Sequence, residues 1–164
     1  DVIPSQFIAT IEKGVVESLE SGALTGYPVI DVEAVLIDGK FKDTLSSELA
    51  YTVSASMACK EALAKGTPFL LDPIMRVEVM VPEAFMGDVI GDLSSRRGKI
   101  ESMGQRGNAR VVVAEVPLAE MFGYATDLRS RTQGRATYTM QFHSYQDVPE
   151  QVAQDIVAKV RGEA

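Results

Sequence analysis

The residues of this chain that could do chemistry are few and scattered. A single histidine, His143, falls in a strand-like run with no second histidine and no cysteine near it. That setting suits a structural or solvated imidazole better than a metal ligand or a general base. The one cysteine, Cys59, lies on the small-residue side of a helical stretch, where a buried inert thiol is expected and no base is visible to activate it. Asp88 and Asp92 stand one helical turn apart and are the only pair that imitates a paired-carboxylate site. Solvation, or pairing of Asp92 with Arg96 at i,i+4, accounts for them without catalysis. The run GQRGNAR precedes a strand, not a helix, and lacks the lysine pattern of a phosphate loop. No catalytic residue, cofactor site or metal site is expected, and the chemistry left over is that of cations. Eight basic residues, Arg96, Arg97, Lys99, Arg106, Arg110, Arg129, Arg131 and Arg135, fall between positions 96 and 135. A guanidinium can grip two phosphate oxygens at once, so a local basic edge would let an otherwise acidic chain hold RNA. Helix capping competes with that reading, because a cation in the last helical turn contributes about 0.3 to 1 kcal/mol with no partner at all.

The elements that carry these cations come from a repeat. Val77 to Arg96, VEVMVPEAFMGDVIGDLSSR, returns without a gap 35 positions later as Val112 to Arg131, VVAEVPLAEMFGYATDLRSR, with nine of twenty positions identical. Each copy reads as an alternating strand, a proline that ends its ladder, and an amphipathic helix. Met86, Val89, Ile90 and Leu93 make one apolar stripe, and Met121, Phe122, Ala125 and Leu128 the other. Both helices run into arginines followed by a glycine, Gly98 or Gly134, expected to take a left-handed cap. Strands follow at Lys99 to Met103, closed by the turn-like GQRGN, and at Arg135 to Phe142. Two β-α-β units with both helices on one face predict a ferredoxin-like split βαβ sandwich, α+β in class, with some of the arginines gathered along one edge. Gly87 and Gly91 weaken their helix, so their bare surface is expected to serve close packing or, failing that, the approach of a partner backbone.

The first part of the chain is built differently. Pro4-Ser5 opens a helix to about Ser21 with Phe7, Ile8, Ile11, Val15 and Leu19 as its stripe. A strand is expected over Val29 to Ile37, followed by the Asp38-Gly39 turn. Ser46 or Ser47 then caps a helix to Lys65 whose buried face is Leu49, Ala50, Val53, Met57, Ala58 and Ala62. A lone half-buried strand cannot satisfy its own ladder. Partner strands must come from elsewhere, and a longer protein whose upstream strands complete the sheet is the economical source. The boundary is expected at Asp72-Pro73, giving domains 1–72 and 73–164, with Pro149 opening a last helix, Gln151 to Val160, that packs on the second.

Composition sets the outer limits. The chain has 164 residues, 46% of them hydrophobic, one cysteine and no apolar run of membrane-spanning length, so a cytoplasmic protein without membrane contact is expected. Residues 1–70 hold five lysines and no arginine against ten acidic residues, and all nine arginines follow.

The runs MGDVIGDLSSRRGKIESM and PLAEMFGYATDLRSRTQGRA closely resemble the last domain of elongation factor G, a ribosomal translocase of the translational GTPase family. Residues from VIPSQFIATIEKG through MACKEAL resemble most of its fourth domain, so the resemblance covers nearly the whole chain. It implies an incomplete α/β first domain of the ribosomal protein S5 domain 2-like kind, lacking upstream strands, and a ferredoxin-like last domain. It further implies a fragment that binds the ribosome, both rRNA and ribosomal proteins, near the A-site tRNA, and acts as a lever during GTP-dependent translocation. The fragment itself would be no enzyme, since GTP and Mg belong to missing N-terminal domains of the same protein. Where many bacterial members carry a histidine at the fourth domain's tip, this sequence has Lys42 between Phe41 and Asp43. Lys42, Arg96, Arg97, Lys99, Arg129, Arg131 and Arg135 are thus the expected ribosome or RNA contacts, with Arg97 and Arg129 replaceable by Gln at little cost in stability. A free-standing ferredoxin-like module for RNA or a small regulatory ligand is the alternative reading, and a small enzyme has least support.

Overall fold

A computed structural model describes residues 3–163, so Asp1, where the first expected domain begins, lies outside the described residues. The chain divides into two compact units, Asp1–Phe69 with Pro149–Ala164 and Leu70–Val148. This division departs from 1–72 and 73–164 at both ends of the second unit: Asp72 and Pro73 lie inside a strand, and residues 149–164 group with the first unit.

In the first unit, α1 (Ile8–Ser21) follows a short turn of helix at Ser5–Phe7, and α2 is Glu48–Lys65. Ser47 caps α2, its hydroxyl accepting from the Ala50 N–H at 3.1 Å. The two helices pack through Phe7, Ile11, Tyr51 and Ala55, with the Phe7 and Tyr51 rings 4.7 Å apart. Gly14 allows this approach, because a Cβ there would overlap the carbonyl oxygen of Thr52. The buried face of α2 is therefore not the expected one: Tyr51 and Ala55 are inside, whereas Leu49, Val53 and Met57 are exposed. The neighbour that α2 packs on is α1, and the stripe at Leu49, Val53 and Met57 points away from that contact. The segment from Val29 to Ile37 forms no strand, although its sequence alternates. Among the described residues it has no neighbouring strand to bond, and Val35 and Ile37 are 70% and 92% exposed. The terminal helix α5 is Glu150–Arg161 and has no fully buried residue.

In the second unit, β1 (Leu71–Val81) and β3 (Ala109–Pro117) are the repeated strands, and they lie antiparallel at the centre of the sheet. Val77 faces Ala114 and Val79 faces Val112. β2 (Lys99–Arg106) flanks β3, and β4 (Thr137–Asp147) flanks β1, giving the order β2-β3-β1-β4. Pro73 is tolerated because β1 pairs only with β4 there, and its pairing with β3 starts at Ile74. β2 runs on through most of the expected turn, leaving Gly107-Asn108 as the hairpin loop, with Gly107 at φ +61. Two helices, α3 (Met86–Ser95) and α4 (Tyr124–Arg131), cover one face. Val77, Val79, Val81, Val112, Ala114 and Val116 meet Val89, Leu93, Met121, Tyr124 and Leu128 there. This is the ferredoxin-like arrangement that the repeat predicts.

The α4 stripe departs from expectation. Phe122 is 81% exposed and Ala125 is also outside, because Gly123 adopts φ +76 and restarts the helix at Tyr124. The inward residues become Met121, Tyr124 and Leu128. A core of eleven buried residues spans both layers of this unit, whereas four hold the helix pair together. Residues 70–148 alone should then melt in one sharp transition, and residues 1–69 alone should not. Separate thermal melts check this, and a sharp melt of monomeric 1–69 would show that the unpaired extended segment needs no partner.

Candidate nucleic-acid interface

The identical residues of the repeat include Asp92 and Asp127, and Arg96 and Arg131. The structure joins all four. Arg96 Nε donates to Asp92 Oδ2 at 3.1 Å as the i,i+4 spacing predicts, and Nη2 pairs with Asp127 of α4. Arg131 Nε lies 3.5 Å from the second Asp92 oxygen. Arg96 Nη1 also donates to the carbonyls of Glu120 at 2.6 Å and Phe122 at 3.3 Å, pinning the turn before α4. Its guanidinium stacks 5.1 Å from the centre of the Tyr124 ring. With only 12% of its side chain exposed, Arg96 clamps the two helices and is not offered to a partner.

Arg97 is also engaged internally. It takes the left-handed position, φ +60, that was expected of Gly98, and the Gly98 N–H closes the helix by donating to the Leu93 carbonyl at 2.9 Å. Gly98 is required for a different reason: a Cβ there would overlap the Leu93 carbonyl oxygen. Arg97 Nη2 donates to the buried carboxylate of Asp72 at 2.9 Å. Replacing it would strand that carboxylate, so it is not replaceable at little cost. At the other helix end Gln133 and Gly134 both have positive φ, and the Gly134 N–H donates to the Arg129 carbonyl at 2.8 Å.

The other expected contacts are open to solvent. Lys99, Arg129 and Arg135 are exposed and have no ion-pair partner among the described residues. Arg131 is half exposed despite its contact with Asp92. Lys42 stands on the exposed loop of the first unit, where its N–H donates to Ser46 Oγ at 2.9 Å. The expected gathering along one edge does not occur for Lys99 and Arg135. Lys99 starts β2 opposite Glu115 near the end of β3, whereas Arg135 precedes β4, which starts opposite Met80 near the end of β1. The repeat's two-fold relation puts them at diagonal corners.

Other sequence candidates resolve simply. His143 sits at the irregularity of β4, with Nε2 3.3 Å from Glu115 Oε1 and Nδ1 2.9 Å from Ser144 Oγ. Gly87 and Gly91 serve no close packing, since a Cβ on either would meet nothing within 4 Å. Tyr124 was not anticipated, although its i,i+4 spacing to Leu128 was a usable signal. Its ring is buried edge-on to Tyr138 at 5.0 Å, and its hydroxyl has no partner among the described residues. Burial, and behind it the Asp92 carboxylate, push the phenol above its ordinary value.

Against known proteins, two family models tile the chain. One, described as Elongation factor G, domain IV, matches residues 1–67, and one described as Elongation factor G C-terminus matches residues 69–156. A crystal structure of a protein from Thermus thermophilus is similar with a TM-score of 0.88 and 42% identity, over 99% of this chain and 25% of that one. The fold and these matches define a two-part α+β chain of translation-factor domains. The chain belongs to the elongation factor G family, and it spans about a quarter of the length of the Thermus protein.

Two outcomes follow from the helix clamp. Arg96→Gln leaves a buried carboxylate and two carbonyls short of donors, so denaturant melts should show a loss of about 3–5 kcal/mol. A loss within about 0.5 kcal/mol would make the network ordinary surface. For Tyr124 the folded phenol holds its proton after the unfolded one, which titrates near pH 10, has lost it. Stability therefore falls as pH rises above about 10, by up to about 1.4 kcal/mol per unit for this group. Tyr124→Phe should flatten that fall in melts taken across the alkaline range, and an unchanged slope would contradict it.

Proposed function

We propose that this chain is the ribosome-engaging end of a translational GTPase that promotes movement of tRNA and mRNA through the ribosome. The observation that carries the reading is the unbroken order of the two matches, domain IV over residues 1–67 and C-terminus over 69–156. In this reading the chain binds rRNA and ribosomal proteins near the A-site tRNA and works as a lever in the cytoplasm. GTP and Mg are handled by domains outside this sequence, and no residue of this chain is catalytic. The placement of the cations supports the reading. Lys42, Lys99, Arg129 and Arg135 are presented on the surface, where phosphates could reach them.

Lys42 is the probe for the first unit. Its loop is tied at both ends, with Leu45 and Ser46 N–H groups donating to the Lys42 carbonyl at 3.0 and 2.9 Å, and with the Tyr51 hydroxyl donating to the Lys40 carbonyl at 2.9 Å. The side chain is thereby carried on an ordered turn. In the full-length protein, Lys42→Ala should slow tRNA movement while ribosome-stimulated GTP hydrolysis stays nearly unchanged. Fast-kinetic measurement of both steps decides it: equal loss of both activities points to a general docking defect, and no loss of either removes Lys42 from the interface.

A further inference from the structure

Two chain connections join the units, one at Phe69-Leu70 and one at Val148-Pro149. Their second-unit ends are fixed side by side: the Val148 N–H donates to the Leu70 carbonyl at 3.0 Å, and the β1–β4 ladder starts at once with Leu71 opposite Asp147. A proline stands just outside the ladder on each connection, Pro68 on one and Pro149 on the other, and neither has an N–H with which to extend it. Beyond the ladder the two connections differ. Pro149 leads straight into α5 with its φ at −54. On the other connection the Gly66 N–H closes α2 by donating to the Ala62 and Leu63 carbonyls at 3.0 and 3.1 Å, and then Thr67, Pro68 and Phe69 belong to no helix or strand.

Thr67 is the anomaly of this stretch. Its φ is +53, and of the non-glycine residues in the left-handed region, Asp31, Thr67, Arg97 and Gln133, it alone is β-branched. Two local forces oppose that conformation. A branched Cβ crowds the backbone at positive φ, and a following proline drives the residue before it towards extended backbone. The contact that favours it is the Thr67 hydroxyl, which donates to the Gly66 carbonyl at 2.7 Å. One neutral bond on an exposed residue offsets only part of a local preference of about 5- to 150-fold against such a conformation. The extended alternative is therefore within reach, and it would take the chain from α2 to β1 along a different path.

We propose that Thr67 is a two-position hinge, left-handed in this structure and extended in a competing state, which redirects the chain between the units about the Leu70 and Val148 end of the ladder. The hinge goes beyond the ribosome-binding reading and does not depend on it. A glycine-rich linker would give a continuum of paths, whereas a proline on each connection and a branched residue before one of them leave few backbone wells. Strain raises the observed state and the hydroxyl bond holds it, so the balance between the two positions is set at this one residue.

Pulsed spin-label distance measurements test this in the full-length protein, with labels only at Cys59 in α2 and at Ser94→Cys on the exposed side of α3. Thr67 is exposed, so substitution opens no core and the thermal melt should not change. The unaltered protein should give two distance populations. Thr67→Asn, which tolerates the left-handed region, should enrich the population that matches this structure by about fivefold or more. Thr67→Val keeps the branch and loses the hydroxyl, and should deplete the same population by about fivefold. One population that is the same in all three proteins, or two whose ratio neither substitution moves, overturns the proposal. A shift in the same direction for both variants overturns it as well, because it reports the loss of the hydroxyl and not the backbone preference of the residue.

Discussion

The second unit depends on one buried carboxylate. Asp92 is 6% exposed on the face of α3 that meets α4, and a charge in that position is tolerable only if it is paired. Arg96 pairs it from its own helix and Arg131 from the neighbouring one, while Arg96 reaches on to Asp127 and to two carbonyls of the turn before α4. The same side chains therefore neutralise Asp92, bridge the helices and fix where α4 begins. Because α4 begins at Tyr124 and not earlier, Tyr124 enters the core under the Arg96 guanidinium and Phe122 is turned out.

That clamp divides the basic residues by role. Cations at helix ends look alike in sequence, yet the interior demands Arg96 and Arg97 and leaves Arg129 and Arg135 without an ion-pair partner among the described residues. The two-fold relation between the repeats sharpens the division. Cations at the strand starts, Lys99 and Arg135, lie at opposite ends of the sheet, whereas the matching Arg96 and Arg131 meet at Asp92 between the helices.

The first unit is held by a different balance. Its helices close on each other through Gly14 and a small aromatic cluster, but each helix has a second apolar side that this contact leaves in the open. The extended segment beside them has β-branched residues suited to a sheet and, among the described residues, no strand to bond. A unit of this kind presents its loop, with Lys42, at the junction of that segment and the capped start of α2.

Local regularities determined much of this structure directly from the sequence. The repeat set the two β-α-β units, the central antiparallel pair and the ferredoxin-like order, because alternation and three- to four-residue spacing are properties of the backbone itself. A serine cap at 46 or 47, Gly134 and the i,i+4 pair of Asp92 and Arg96 were likewise legible, since each acts within one helical turn. Tertiary structure decided the rest. The face that α2 buries depends on which neighbour exists to cover it, and a strand over Val29 to Ile37 depends on a partner that local sequence cannot supply. The inward role of Tyr124 depends on a helix restart at Gly123, and the internal engagement of the Arg97 side chain on a carboxylate 25 positions away in another element. Whether a cation was a clamp or a free contact was invisible in the sequence for the same reason: ion pairs form between residues brought together by packing, and spacing along the chain records only those within a turn.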